Sequence, residues 1–117
     1  DKMEDLLVET LENLKLPVIK QGTLAEEDKY PNTFITFWNN SSDGESFYDN
    51  DEHSCLWDFD VNVYSVDPEE VNSVLIKIKK ILRENKFIAN GKGYDVASDE
   101  PTHTGRGINV QIIEGGI

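Results

Sequence analysis

The sequence predicts an α+β two-layer sandwich, a mainly antiparallel sheet of four to five strands with two helices packed on one face, in the order α-β-β-β-α-β-β. Three observations predict it. Leu56-Trp57-Asp58-Phe59-Asp60-Val61-Asn62-Val63-Tyr64 alternates apolar and polar residues with a period of two, the pattern of a strand buried on one face. Ser65-Val66-Asp67-Pro68-Glu69-Glu70 follows at once as a helix start: Asp67 can accept from orphan amides, Pro68 suits the first helical position, and the two glutamates favour the positive end of the dipole. The strand candidates are joined by short turns, which gives antiparallel pairs, while two apolar helical stripes must cover one face of the sheet. At 117 residues the chain has the length of a single domain, 1–117, with one hydrophobic core.

In chain order, Met3 to Lys15 reads as an amphipathic helix. Met3, Leu6, Leu7, Leu11 and Leu14 recur at helical spacing, and Pro17 ends the run. Val18-Ile19-Lys20 is a short strand, Gly22 begins a turn, and Thr33-Phe34-Ile35-Thr36-Phe37-Trp38 is a second strand rich in aromatic and β-branched residues. From Asn39 to Asp51 turn formers and acids dominate. Two readings compete, a mobile loop and a long hairpin with its tip near Ser42-Asp43-Gly44 and arms continuing the flanking strands; the hairpin is preferred because Phe47 and Tyr48 are poorly suited to a free loop. After the central strand, Val71, Val74, Leu75, Ile78, Ile81 and Leu82 form the apolar stripe of a second helix running to Lys86. Its polar face turns basic at the end with Lys77, Lys79, Lys80, Arg83 and Lys86. Phe87-Ile88-Ala89 starts an extended segment, Asn90 to Gly93 is a turn, Tyr94 to Ala97 a strand and Ser98 to Thr104 a loop. Gly105-Arg106-Gly107 reads as a turn leading into the last strand, Ile108 to Ile112.

Composition excludes several functions. The 23 acidic residues against 11 basic ones give a net charge of −12, which repels a phosphate backbone and argues against sequence-specific nucleic-acid binding. The single cysteine, Cys55, excludes an intramolecular disulfide and suits a reducing compartment. No apolar run approaches the length of a membrane span, so the expectation is a soluble protein made in a cytoplasm.

The candidate chemistry is thin, and the expectation is no enzyme, no metal and no cofactor. Asp58-x-Asp60-x-Asn62 has the alternating oxygens of a calcium loop, but position six holds Val63 instead of glycine, and flanking aromatics make it a strand. His53-x-Cys55 offers two soft ligands where zinc needs about four. Gly91-Lys92-Gly93 and Gly105-Arg106-Gly107 lack the following helix that makes a phosphate loop work. Arg106 reads as a solvated cation or, functionally, as one half of an intersubunit ion pair. The stretch Asp43 to Asp60 carries seven acids and no Lys or Arg, either a solubilising face or a negative potential placed for a partner. With the basic end of the second helix it gives the molecule two poles, which suit head-to-tail association. The interface or lumen candidates are therefore Asp43, Glu45, Asp49, Asp51, Asp58, Asp60, Asn62 and Arg106.

The order of these features resembles a known family. An N-terminal amphipathic helix, then Tyr30-Pro31-Asn32-Thr33-Phe34-Ile35-Thr36-Phe37, an acidic hairpin, Trp57 to Ser65 running straight into a helix, and Gly105-Arg106-Gly107-Ile108-Asn109-Val110-Gln111 near the end together resemble the small tail-completion or tail-terminator (head–tail joining) proteins of long-tailed bacteriophages and prophages. The resemblance implies a non-enzymatic virion tail component made in the host cytoplasm. It implies a ring, commonly a hexamer, at the head-proximal end of the tail tube, with the tail-tube and head-connector proteins as partners and DNA passing through an acidic lumen. Two other readings stand beside it: an acidic inhibitor or immunity-type module masking a basic protein, and a metal-dependent nuclease using Asp58 and Asp60.

Overall fold

The alternating stretch lies at the centre of the sheet. A computed structural model of the chain describes residues 2–21, 30–40, 47–48, 54–98 and 100–115. Its elements are α1 (Lys2–Glu12), β1 (Val18–Lys20), β2 (Thr33–Asn39), β3 (Phe47–Tyr48), β4 (Ser54–Ser65), α2 (Pro68–Glu84), β5 (Ile88–Ala89), β6 (Tyr94–Val96) and β7 (Thr104–Gly115). β4 and β7 pair antiparallel over their full lengths, from Ser54 opposite Gly115 to Ser65 opposite Thr104. β2 lies antiparallel on the other side of β4, β1 adds to β2, β5 and β6 add to β7, and β3 pairs with β4. The fold is α+β, with two helices against one face of a mixed sheet.

The period-two pattern supplies the core directly. Phe59, Val61 and Val63 of β4, Ile35 and Phe37 of β2, and Ile108, Val110 and Ile112 of β7 share one face, where Met3, Leu7 and Leu11 of α1 and Val71, Val74, Leu75, Ile78 and Leu82 of α2 cover them. Trp57, expected in this set, lies at its margin, half-buried, its indole N–H donating to Glu114 Oε1 at 3.0 Å. The start of α2 is as expected: Asp67 caps it, accepting from the Glu69 amide at 3.0 Å, with Pro68 in the first turn.

Four expectations are corrected. Among the described residues seven strands form in place of four or five, and the order is α-β-β-β-β-α-β-β-β. The extra strands, β3 and β5, are two residues each, too short to show a period. β1 pairs parallel to β2, Val18 opposite Ile35; the other pairings among the described residues are antiparallel. Both helices stop short. After α1, Asn13 Nδ2 donates to the Glu9 and Thr10 carbonyls at 3.2 and 3.3 Å and Lys15 takes a φ of 61°; after α2, Lys86 takes a φ of 72°. Finally, β7 begins at Thr104, so Gly105 and Gly107 are strand residues, where bare Cα positions let other side chains approach.

The hairpin tip expected near Ser42-Asp43-Gly44 lies outside the described residues. Of its returning arm, Phe47 and Tyr48 pair antiparallel with Leu56 and Cys55. Among the described residues no helix is long and apolar enough to cross a membrane.

Candidate functional site: the open face of the sheet

One step out of phase with the core, the same strands build a second face on which no helix of the described residues lies. β2 contributes Phe34, Thr36 and Trp38; β4 contributes Asp58, Asp60, Asn62 and Tyr64; β7 contributes Gly105, Gly107, Asn109 and Gln111. β6, at the edge, lays Tyr94 opposite Gly107 and Val96 opposite Gly105.

At one end this face is an amide-clamped acid ladder. Asp58 Oδ1 accepts from Asn40 Nδ2 at 2.8 Å and Asn109 Nδ2 at 2.7 Å, and Asp58 Oδ2 accepts from Gln111 Nε2 at 3.0 Å. Asn109 Nδ2 also reaches Asp60 Oδ1 at 3.1 Å. Partial burial works to raise the Asp58 pKa, but the bonds from Gln111, Asn40 and Asn109 outweigh it, and the carboxyl ends below its ordinary value of 3.8. A lowered carboxyl pKa stabilises the fold above the ordinary value, and that gain is lost as the pH falls through the lowered one. Asp58→Asn should therefore cost about 1 kcal/mol or less at neutral pH, given solvent screening, and the gap from the parent chain should close on acidification. Urea unfolding from neutral pH down through the carboxylate range checks this; a gap that widens in acid contradicts it.

At the other end lies an aromatic cluster. Phe34 stacks on Tyr64 with ring centroids 5.2 Å apart, and Tyr30 and His103 meet Phe34 edge-on. The His103 Nε2–H donates to the Pro31 carbonyl at 2.8 Å.

Between the two ends is a polar gap. Asn62, expected on the surface, is 7% exposed; Thr36, its cross-strand neighbour, is 8% exposed. Neither Asn62 Oδ1 nor Thr36 Oγ1 has a hydrogen-bond partner among the described residues. Asn62 lines a pocket of about 290 Å³ with Gln21, Trp38, Asp60, Tyr94 and Val96. The Tyr94 hydroxyl donates to Asp60 Oδ1 at 3.4 Å. Burial, then the Asp60 charge and this hydrogen bond, then the Asp58 charge, push the Tyr94 phenol above its ordinary pKa. Gly107 makes the arrangement possible, because a methyl group there would sit 2.2 Å from Asn62 Oδ1 and 2.9 Å from the Tyr94 ring.

Of the residues singled out from the sequence, Asp58, Asp60 and Asn62 come together here. Arg106 does not, because strand parity puts it on the helix side. There it is paired within the chain, donating from Nη1 to Asp95 Oδ1 and from Nη2 to the Lys92 carbonyl, both at 2.9 Å. It joins Lys79, Lys92 and Ile76 around a second concavity against α2. Asp43, Glu45, Asp49 and Asp51 lie outside the described residues, as does His53; Cys55 enters as a backbone position of β4. Among the described residues no three His, Cys, Asp or Glu side chains converge as metal ligands.

The sequence reading missed Asn109, Gln111, Trp38 and Tyr94. The first two were accessible: if Ile108, Val110 and Ile112 face the core, the residues between them must face β4's acids. Glycines spaced i and i+2 were a second signal, for a strand stripped of side chains on one face. No family model matches the chain, and no curated protein matches it.

Proposed function

We propose that this protein is a structural assembly subunit, a tail-completion or tail-terminator protein of a long-tailed bacteriophage or prophage. In this reading it closes into a ring at the head-proximal end of the tail tube, joins the tube to the head connector, and resides in the virion tail. The observation that carries the assembly role is the contrast between two surfaces. The uncovered sheet face presents clamped acids beside exposed Trp38, Tyr94, Ile88 and Ile113, while the outer side of α2 presents Lys77 and Lys80 beside Ile76, which is 70% exposed. Apolar side chains left out among charges of opposite sign on two sides of one small domain favour contact between copies. The phage assignment itself rests on the order of sequence features, and the acidic face supplies a lumen lining along which DNA slides without sticking.

The test is sedimentation of the chain, alone and with a tail-tube protein from the same genome. Closed oligomers or capped tubes are expected, and Lys77→Glu with Lys80→Glu should disperse them. A chain that stays monomeric at high concentration and leaves tube length unchanged overturns the proposal.

The clamped Asp58 and Asp60 also favour a second reading, an acidic inhibitor or immunity-type module. That reading requires tight, salt-sensitive binding to a basic protein, lost when Asp49, Asp51 and Asp58 are neutralised.

A further inference from the structure

We propose that the open-face pocket formed by Gln21, Trp38, Asp60, Asn62, Tyr94 and Val96 binds a guanidinium group, the head of an arginine side chain presented by a partner protein. The inference names the chemistry of what this face contacts, so it rests on the reading of the face as a contact surface; it does not need the contact to be a ring.

A polar side chain as buried as Asn62 is normally bonded, and one left without a partner is destabilising. Asn62 Oδ1 has no hydrogen-bond partner among the described residues and the residue lines the pocket, and a terminal torsion that is broad and roughly two-fold lets the amide turn its oxygen to a donor seated there. Asp60 uses Oδ1 for Asn109 and Tyr94, and among the described residues Oδ2 takes no donor. The pocket therefore offers acceptors and asks for donors. A guanidinium is a planar fork of five N–H donors with no acceptor, and it carries the charge that an isolated carboxylate attracts.

The walls select among donors. Trp38 is 48% exposed and Tyr94 43% exposed, and both line the pocket with flat aromatic surface. A weakly hydrated guanidinium stacks on such rings, whereas an ammonium is a compact, strongly hydrated point charge that makes less of separated acceptors and flat walls. At about 290 Å³ the pocket has room for a side-chain head group and sits near the lower limit of roughly 300 Å³ for small-molecule and cofactor sites. The net charge of −12 draws a basic partner in from a distance.

The arginine comes from a different protein. This chain has two, Arg83 and Arg106, and both are already held, Arg83 by the Ala89 carbonyl and Asn90, Arg106 by Asp95 and the Lys92 carbonyl. A second copy would have to break those bonds to supply one.

The experiment titrates the 117-residue chain with N-acetyl-arginine amide and, in parallel, with its neutral citrulline analogue, following the Trp38 and Tyr94 ring signals by NMR. The arginine compound should shift both rings saturably in the millimolar range, and the citrulline compound should not. Asp60→Asn should weaken binding about tenfold, the fold-change for one lost charge-assisted contact. Trp38→Leu, at an exposed position, should weaken it while leaving the unfolding midpoint in place. Saturation should also lower the apparent pKa of the Tyr94 hydroxyl, because a cation beside Asp60 offsets the charge that raises it. Equal shifts with both compounds, no saturable shift, or full binding in both folded variants overturns the proposal. Self-association that falls in Arg83→Lys or Arg106→Lys assigns the arginine to a second copy and overturns the assigned source. A chain that never forms rings yet binds the arginine compound removes the assembly reading and leaves the pocket; a ring former blind to it does the reverse.

Discussion

Phe59→Ala should lower the unfolding free energy by about 3–5 kcal/mol, the cost of deleting a large buried aromatic whose site cannot collapse around the void. Phe59 is the largest of the fully buried side chains, sits mid-strand in β4 between Asn39 of β2 and Val110 of β7, and stacks on Trp57 at a centroid distance of 6.5 Å. With strands hydrogen-bonded on both sides, the backbone has no freedom to move inward. Against a typical total of roughly 5–15 kcal/mol, that loss removes between about a fifth and all of the stability. Urea unfolding followed by far-UV circular dichroism measures it; a loss below about 1.5 kcal/mol would place Phe59 at a yielding site, contrary to its position.

Gly93→Ala should be comparably damaging, for two separable reasons. Gly93 has a φ of +82°, a region that costs a residue with a Cβ about 1–3 kcal/mol. The added methyl would also lie 2.7 Å from the Gly107 carbonyl oxygen and 2.9 Å from Leu75 Cδ2, and relieving it adds about 1–3 kcal/mol. Gly91 supplies the internal control: its φ is +85°, but nothing stands within 4 Å of its missing Cβ. Gly91→Ala bears the backbone cost alone, so the difference between the two variants isolates the clash. Two equal losses would show that the 90–93 turn swings away from β7, and that would also dislodge Tyr94, the residue that follows.

These glycines illustrate why one part of the molecule was legible in the sequence and another was not. The core was legible because Phe59, Val61 and Val63 carry their period in adjacent positions, and because Asp67 and Pro68 cap α2 with residues whose preferences are local. Asn62 was placed on a surface because strand parity assigns a face without saying what covers it. Its burial comes from Tyr94, more than 30 residues away in the sequence, lying over the space that Gly107 leaves open. The strand position of Arg106 was hidden for a related reason. Between two glycines it read as a turn residue with no face at all, whereas inside β7 it shares the parity of Ile108 and is carried under α2. β3 and β5 are held by their partners' register, and two residues cannot announce a period.

The central pairing has a consequence for the chain before it is fully folded. β4 spans residues 54–65 and its long partner β7 spans 104–115, so one edge of β4 stays open until a segment about 40 residues later arrives. During that interval Leu56 to Tyr64, aromatic and β-branched and free of proline, is an exposed edge of the kind that recruits the same segment of another chain into a growing aggregate. Asp58 and Asp60 interrupt it at every second position with a charge that neighbouring copies would have to stack against its like. The two acids that serve the finished sheet as a clamped ladder thus serve the nascent one as gatekeepers.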